Sequence, residues 1–297
     1  MTKNLHLEHP EDTILTGDRS ALRWLTTPSD VSVKMDGAPA IVWGTNPENG
    51  KFFVGTKSVF NKKKIKICYT PDDINEFYSE QEEVAEILLT CLDFLPRTEA
   101  IYQGDFIGFG GESAYKPNTI IYDFGYDVEQ QMIIAPHTVY VGDTIKDSVA
   151  EPLTDILDST DDVLFVQPTV DSTAKLKYME TLNEQYNSAK FLSEKSAKEV
   201  KIIINSFIRE GKVLTVEILS LIIGCETLAS LYLNIMIQKS VLMDGMIVYD
   251  GPTTFLNGQI VSAEGFVRTN VYGSMKLVDR YQFARANFNN DKFRSIN

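Results

Sequence analysis

At 297 residues, with 43% hydrophobic and 23% charged side chains, the chain is long enough for one large domain or for a body that carries an insertion. A net charge of −13 excludes a uniformly basic coat, but the excess acid is local: residues 67–170 hold twenty-one Asp and Glu against three Lys and Arg. Residues 1–66 hold ten basic side chains against seven acidic ones, so a phosphate-bearing partner would meet the first and last segments.

In chain order, the opening "MTKNLHLEHPED" lacks the apolar core of a secretion signal. "VSVKMDGAPAIVWG" (31–44) alternates Val31, Val33 and Met35 with Ser32, Lys34 and Asp36, breaks at Gly37, and resumes as "AIVW". That period of two predicts strand, tight turn, strand. "NPENGK" predicts a hairpin between "AIVWGT" and "FFVGTKSVF". Helical spacing of Ile74, Phe77, Val84, Ile87, Leu88 and Leu92 follows "TPDD", which reads as an N-terminal cap. Strand-like runs return in "AIYQGDFIGFGG", "NTIIYDFGYD", "QMIIAP" and "TVYVG". From about Ser172 the period becomes helical until Gly211, and a more apolar helical run continues to about Ser240. Its longest apolar stretch, 218–237, carries Glu226 and Asn234, so a core helix is expected rather than a membrane span. Strands resume in "GMIVYDG", "QIVSAEGFVR" and "SMKLV". The expected architecture is an α+β body over 1–170 and 241–297, with a helical insertion at 171–240. Cys68, Cys91 and Cys225 show neither metal spacing nor a disulfide framework, which points to a reducing, cytoplasmic setting.

The motifs narrow this reading. "KMDG" (34–37), "GTKS" (55–58), "QGDFIG" (103–108), "EGFVR" (264–268) and "MKLV" (275–278) occur in the order of the motifs of the covalent nucleotidyltransferases, and the chain resembles that superfamily of DNA ligases, RNA ligases and capping enzymes. "HLEHPED", "DGAPAIVWG", "FFVGTKSVFNK", "YKPNTIIY" and "FARANF" are similar to a narrower group of phage-encoded, RNA-ligase-like proteins. The resemblance implies antiparallel sheets flanked by helices in a ligase-type adenylation domain, acting in the cytoplasm of a phage host. It implies ATP-dependent polynucleotide ligation, on RNA rather than DNA, with ATP and Mg²⁺ as cofactors and nucleic acid as partner. Some nineteen residues follow "MKLV", so the additional C-terminal OB-fold of a typical DNA ligase is not expected. The alternative is a non-catalytic nucleotide or nucleic-acid binding protein that keeps the fold.

Carried over by resemblance, Lys34 attacks the ATP α-phosphate and becomes lysyl-AMP. An amine needs desolvation or neighbouring positive charge to lose its proton, which Lys276 and a metal ion would provide. The plain alternative for Lys34 is a strand-end lysine paired with Asp36. Asp36 and Gly37 complete the motif, the glycine letting the backbone turn close to the nucleotide. Lys57 stands for the family's arginine, exchanging a bidentate fork for a point charge. Asp105 stands for a ribose-contacting glutamate and is one methylene shorter; the alternative is a turn aspartate beside Gly104. Phe124 would stack on adenine or pack in the core. Glu264 is the metal-site carboxylate, preferred over Asp244, which is expected to start a hairpin turn. Lys276 would bind the α-phosphate. Val278 stands where many relatives carry a second lysine, a contact that Arg280 is not expected to replace. The run of Lys57, Lys62, Lys63, Lys64 and Lys66, with Phe60, would track a nucleic-acid backbone or form a solvated hairpin. His6, Glu8, His9 and Asp12 have the residue types of a metal cluster, with capping or packing as the alternative.

Overall fold

The computed structural model describes residues 7–173, 176 and 179–283. It is a mixed α+β structure of antiparallel sheets and helices, and its contacts group the described residues into two units. The first comprises 35–168 and 250–261. The second comprises 7–34, 169–249 and 262–283.

Alternation of apolar side chains builds the large sheet of the first unit. Phe52–Thr56, Ala40–Thr45, Ile101–Phe109, Met132–Val141 and Val149–Pro152 pair antiparallel in that order, and Val163–Phe165 pairs parallel to Met132–Val141. Ile41, Trp43 and Val54 point to one face, where Ile74, Tyr78, Ile87 and Leu88 of helices Pro71–Tyr78 and Glu82–Phe94 cover them. Val42 and Phe53 point to the other, against Val59, Tyr140 and Ile145. Both faces are dry, so both sets of alternating residues are apolar. Thr70 starts the first helix with a capping box to Asp73. A four-stranded sheet, in the order Gln259–Val261, Thr253–Leu256, Ile121–Asp123 and Ala114–Tyr115, completes the unit.

Helices dominate the second unit. Pro10–Thr13, Ser20–Thr26, Met179–Ser188, Glu194–Arg209, Val216–Ile223 and Glu226–Asp244 surround one apolar core. The last is apolar on several sides, burying Leu228, Leu231, Tyr232, Ile235 and Leu242, as a central helix must. Gly224, with φ of 79°, ends the preceding helix in the left-handed region, so the single apolar run of the sequence is two helices. A three-stranded sheet of Asp30–Lys34, Gly265–Asn270 and Gly273–Val278 packs into the same core, beside a ribbon of Thr169–Ser172 and Met246–Tyr249.

Five features depart from the sequence reading. The segment 31–44 is not a hairpin: Asp30–Lys34 pairs with Gly265–Asn270, whereas Ala40–Thr45 pairs within the first unit. Residues 35–39 pass from one unit to the other, because Met35 is buried and Gly37 packs on the Asp105–Phe106 backbone instead of turning back. The helices of 179–244 share their core with Trp24, Phe266 and Leu277, so contact groups them with both chain ends. "QMIIAP" and "TVYVG" are one strand, and "QIVSAEGFVR" divides between two sheets. Asp244 ends a helix rather than starting a hairpin, and is exposed.

Candidate active site

Three strands of the second unit assemble the lysine site. Lys34 lies opposite Gly265, and Val267 opposite Lys276, so the strand carrying the lysine meets the start of "EGFVR". Lys34 Nζ donates to Glu264 Oε2 across 230 residues of sequence, with the side chains 30% and 14% exposed. Glu264, and not Asp36, is therefore the lysine's partner. Gly265 permits the close approach: a Cβ there would stand 2.3 Å from the Leu277 carbonyl oxygen and 2.7 Å from Val278 Cγ2. Val278 is buried against that glycine. Burial lowers the pKa of Lys276, the Lys34 charge lowers it further, and Glu8 and Asp12 oppose the shift. The Lys276 N–H donates to the Glu8 carbonyl at 3.1 Å, fastening the N-terminal segment to an edge strand.

Behind this site lies a buried ionic network that sequence reasoning missed. Glu11, wholly buried, accepts from Lys239 Nζ at 2.5 Å and from Arg280 at 3.2 Å. Arg280 also donates to Asp12 at 3.1 Å and to Asn205 at 2.6 Å, and Tyr232 donates to Asp12 at 2.7 Å. Burial pushes the Glu11 carboxyl up, but Lys239 and Arg280 outweigh it and hold it low. Arg280 is thus committed to carboxylates inside the fold. His9 belongs to the same region: burial lowers its pKa to about 2, so the imidazole is neutral. Its Nδ1 is 4.0 Å from Glu11 Oε1. His6 lies outside the described residues, and no group of three His, Cys, Asp or Glu among the described residues is arranged to hold a metal. Arg268 of "EGFVR" caps helix Ser20–Thr26, donating to the carbonyls of Trp24, Leu25 and Thr27 at 2.9–3.1 Å.

The other predicted residues lie in the first unit. A Cβ on Gly37 would stand 2.5 Å from the Phe106 carbonyl oxygen and 2.9 Å from Asp105 Cβ, so this glycine serves close packing on that strand. Asp36 accepts from Asn118 Nδ2 at 3.3 Å, and its N–H donates to the Tyr122 hydroxyl at 2.6 Å. Asp105 lies mid-strand, opposite Ala40 and Ala135, not in a turn. Beside it is a residue that sequence reasoning passed over. The register skips between Gln103↔Thr138 and Gly104↔Pro136, leaving His137 as the extra residue of a β-bulge. His137 Nε2 is 3.7 Å from Asp105 Oδ1 and 3.4 Å from Gln103 Nε2, and Nδ1 is 2.7 Å from Thr138 Oγ1. The buried Tyr140 hydroxyl donates to Gln103 Oε1 at 2.7 Å, which turns the Gln103 amide nitrogen toward the ring. Pro136 beside a histidine was the available signal, but it reads equally as a strand end.

Lys57 is exposed at the start of a 3₁₀ turn, Lys57–Phe60. Lys62, Lys63 and Lys64 are exposed too, whereas Lys66 donates to the Phe77 carbonyl at 2.6 Å and covers the Tyr78 ring. Phe124 packs edge-on against Tyr115 and Tyr126, and Phe60 packs on Tyr140.

A family model matches residues 4–220 and 223–292, a span that includes every candidate residue above. The chain belongs to DUF6267, a family of unknown function. No curated protein and no solved structure matches this DUF6267 chain. The two residues skipped by the family model, 221 and 222, fall in helix Val216–Ile223, where Leu221 is 87% exposed.

Proposed function

We propose that the chain is an ATP-dependent polynucleotide ligase with a ligase-type adenylation fold, acting on RNA rather than DNA through a lysyl-AMP intermediate on Lys34. The observation that carries this reading is the meeting, at one small sheet, of Lys34 from near the start of the chain with Glu264 and the burial-depressed Lys276 from near its end. In the proposed step the Lys34 amine forms a bond to the α-phosphorus while the bond to the bridging oxygen breaks and pyrophosphate leaves. Glu264 is placed to take the proton that Lys34 gives up. Lys276 offsets charge on the transferring phosphoryl group.

Mg²⁺ is usually held by one or two carboxylates together with substrate phosphates. Glu264 supplies a single carboxylate, which suits that mode; bound there, the ion would neutralise phosphate charge.

One observation favours a second reading. The ion pair with Glu264 already satisfies Lys34, as a purely structural pairing in a nucleotide-binding protein would. Incubation with α-labelled ATP, Mg²⁺ and a 5′-phosphorylated RNA strand separates the two. Label on the protein and joined RNA are expected; nucleotide binding without either would leave the binding protein.

A further inference from the structure

Arg19 is the N-cap residue of helix Ser20–Thr26, Arg23 lies one turn on in its last turn, and both are exposed. Each lies over a tyrosine ring: Arg19 at 5.0 Å from the centroid of Tyr186, Arg23 at 6.0 Å from that of Tyr272. Arg19 also donates to Asn183 Oδ1 at 3.3 Å. Neither arginine forms a salt bridge among the described residues. The neighbouring Asp18 spends its carboxylate on the Ser20 N–H at 2.9 Å. Tyr272 is 39% exposed and Val271 87%, both in the turn that joins two strands of the three-stranded sheet.

Among the described residues, neither cation is neutralised by an acid partner. A guanidinium laid on an aromatic ring keeps its opposite face and N–H edges for a partner, and it binds phosphate as a fork. The two arginines offer phosphate contacts, and the exposed Tyr272 beside Arg23 offers a flat stacking face, whereas Tyr186 is half-buried against the core. That combination matches a flexible strand that carries both phosphates and unpaired bases. We propose that Arg19, Arg23 and Tyr272 form a binding surface for single-stranded nucleic acid. The surface lies in the second unit, and the basic run at 62–64 belongs to the first. It deepens the ligase reading, and rests on it only for the expectation that the strand is RNA.

The test uses the full chain, a fluorescently labelled single-stranded RNA and anisotropy across a salt series, alongside labelling of the protein by α-labelled ATP. Each lost phosphate contact should flatten the log affinity–log salt slope by about 0.7, so Arg19→Ala with Arg23→Ala should flatten it by about 1.4. Tyr272→Leu should weaken binding roughly tenfold with the slope unchanged, as loss of one stacked base does. Arg19→Lys with Arg23→Lys, which keeps the charge, should restore the slope but not full affinity. An unchanged slope in the double alanine variant, or no RNA binding by the wild type, would overturn the surface. So would binding of a poly-glutamate peptide that equals RNA binding and ignores Tyr272→Leu, which would make it a general acidic-chain site. A wild type that takes no label while the slope still falls would sink the ligase reading and leave this surface standing.

Discussion

The two units solve the problem of polar groups in opposite ways. In the second, full charges are taken inside: Glu11, Asp12, Lys239 and Arg280 are all buried, with Lys276 and the Lys34–Glu264 pair on the adjacent sheet. In the first, the polar cluster centres on the hydrogen bond between the buried Tyr140 and Gln103, which carry no formal charge, with the exposed His137 ring beside the Gln103 amide. Buried charges are costly unless each has its partner, so the first arrangement is sensitive to any single loss. Neutral networks fix orientation at smaller risk. The contrast teaches that the proposed lysine chemistry lies in the unit that already tolerates, and shifts, buried charge.

The sharpest way to break that contrast is to remove one ion. Lys239→Met leaves Glu11 with less compensation in the core, and a loss of about 3–5 kcal/mol is expected by chemical denaturation. Gln103→Leu, which deletes a neutral member of the other cluster, should cost only about 1–3 kcal/mol. Equal losses would erase the distinction between the units.

Gly37→Ala probes packing where the chain leaves the lysine strand. The added methyl has the Phe106 backbone 2.5 Å away, so a loss of about 1–3 kcal/mol is expected, read as a lowered melting temperature. A neutral result would mean that the 35–39 segment relaxes freely.

Acid sharpens the comparison through His9. Its pKa is about 2 in the fold and about 6.5 unfolded, so only the unfolded chain takes the proton between those values. Stability is therefore full above pH 6.5 and falls as the pH drops, by about 1.4 kcal/mol per unit from this group alone. Glu11, Lys239, Arg280 and Lys276 are the charged groups that act on His9. Denaturation of His9→Leu over that window should show a flatter pH dependence than the wild type.

The smallest effect on stability is expected at the exposed lysines. Lys62, Lys63 and Lys64 changed together to Ala should stay within about 0.5 kcal/mol of the wild type. If the run tracks phosphates, the same variant should flatten the salt dependence of RNA binding by up to about 0.7 per lysine, with labelling by ATP unchanged. An unaltered slope would leave a solvated hairpin.

Local signals were legible in the sequence and long-range ones were not. The Thr70 cap, the turn at Gly50 and the helical spacing of 194–209 follow from neighbours within a few residues. The path of 31–44 did not, because period two predicts a strand without naming its partner, and Asp30–Lys34 finds its partner at the far end of the chain. The buried network was hidden for a similar reason. Glu11 and Lys239 are 228 residues apart, and each alone reads as a surface charge. The helices of 179–244 have the periodicity of a separate insertion, yet their apolar stripes face Trp24, Phe266 and Leu277. Among the candidate residues, the motif order pointed to Lys34, Glu264 and Lys276 together, whereas His137 emerges only from a bulge that no pattern of residue types announces.

The central claim is that Lys34 is a nucleophile, and intact-mass spectrometry of the protein after incubation with ATP and Mg²⁺ tests it most directly. The account predicts the gain of one adenylyl group, mapped by peptide digestion to Lys34 and lost in Lys34→Ala. A wild-type protein that never gains that mass across a broad range of pH and metal ions, or an adduct that survives Lys34→Ala, would contradict it.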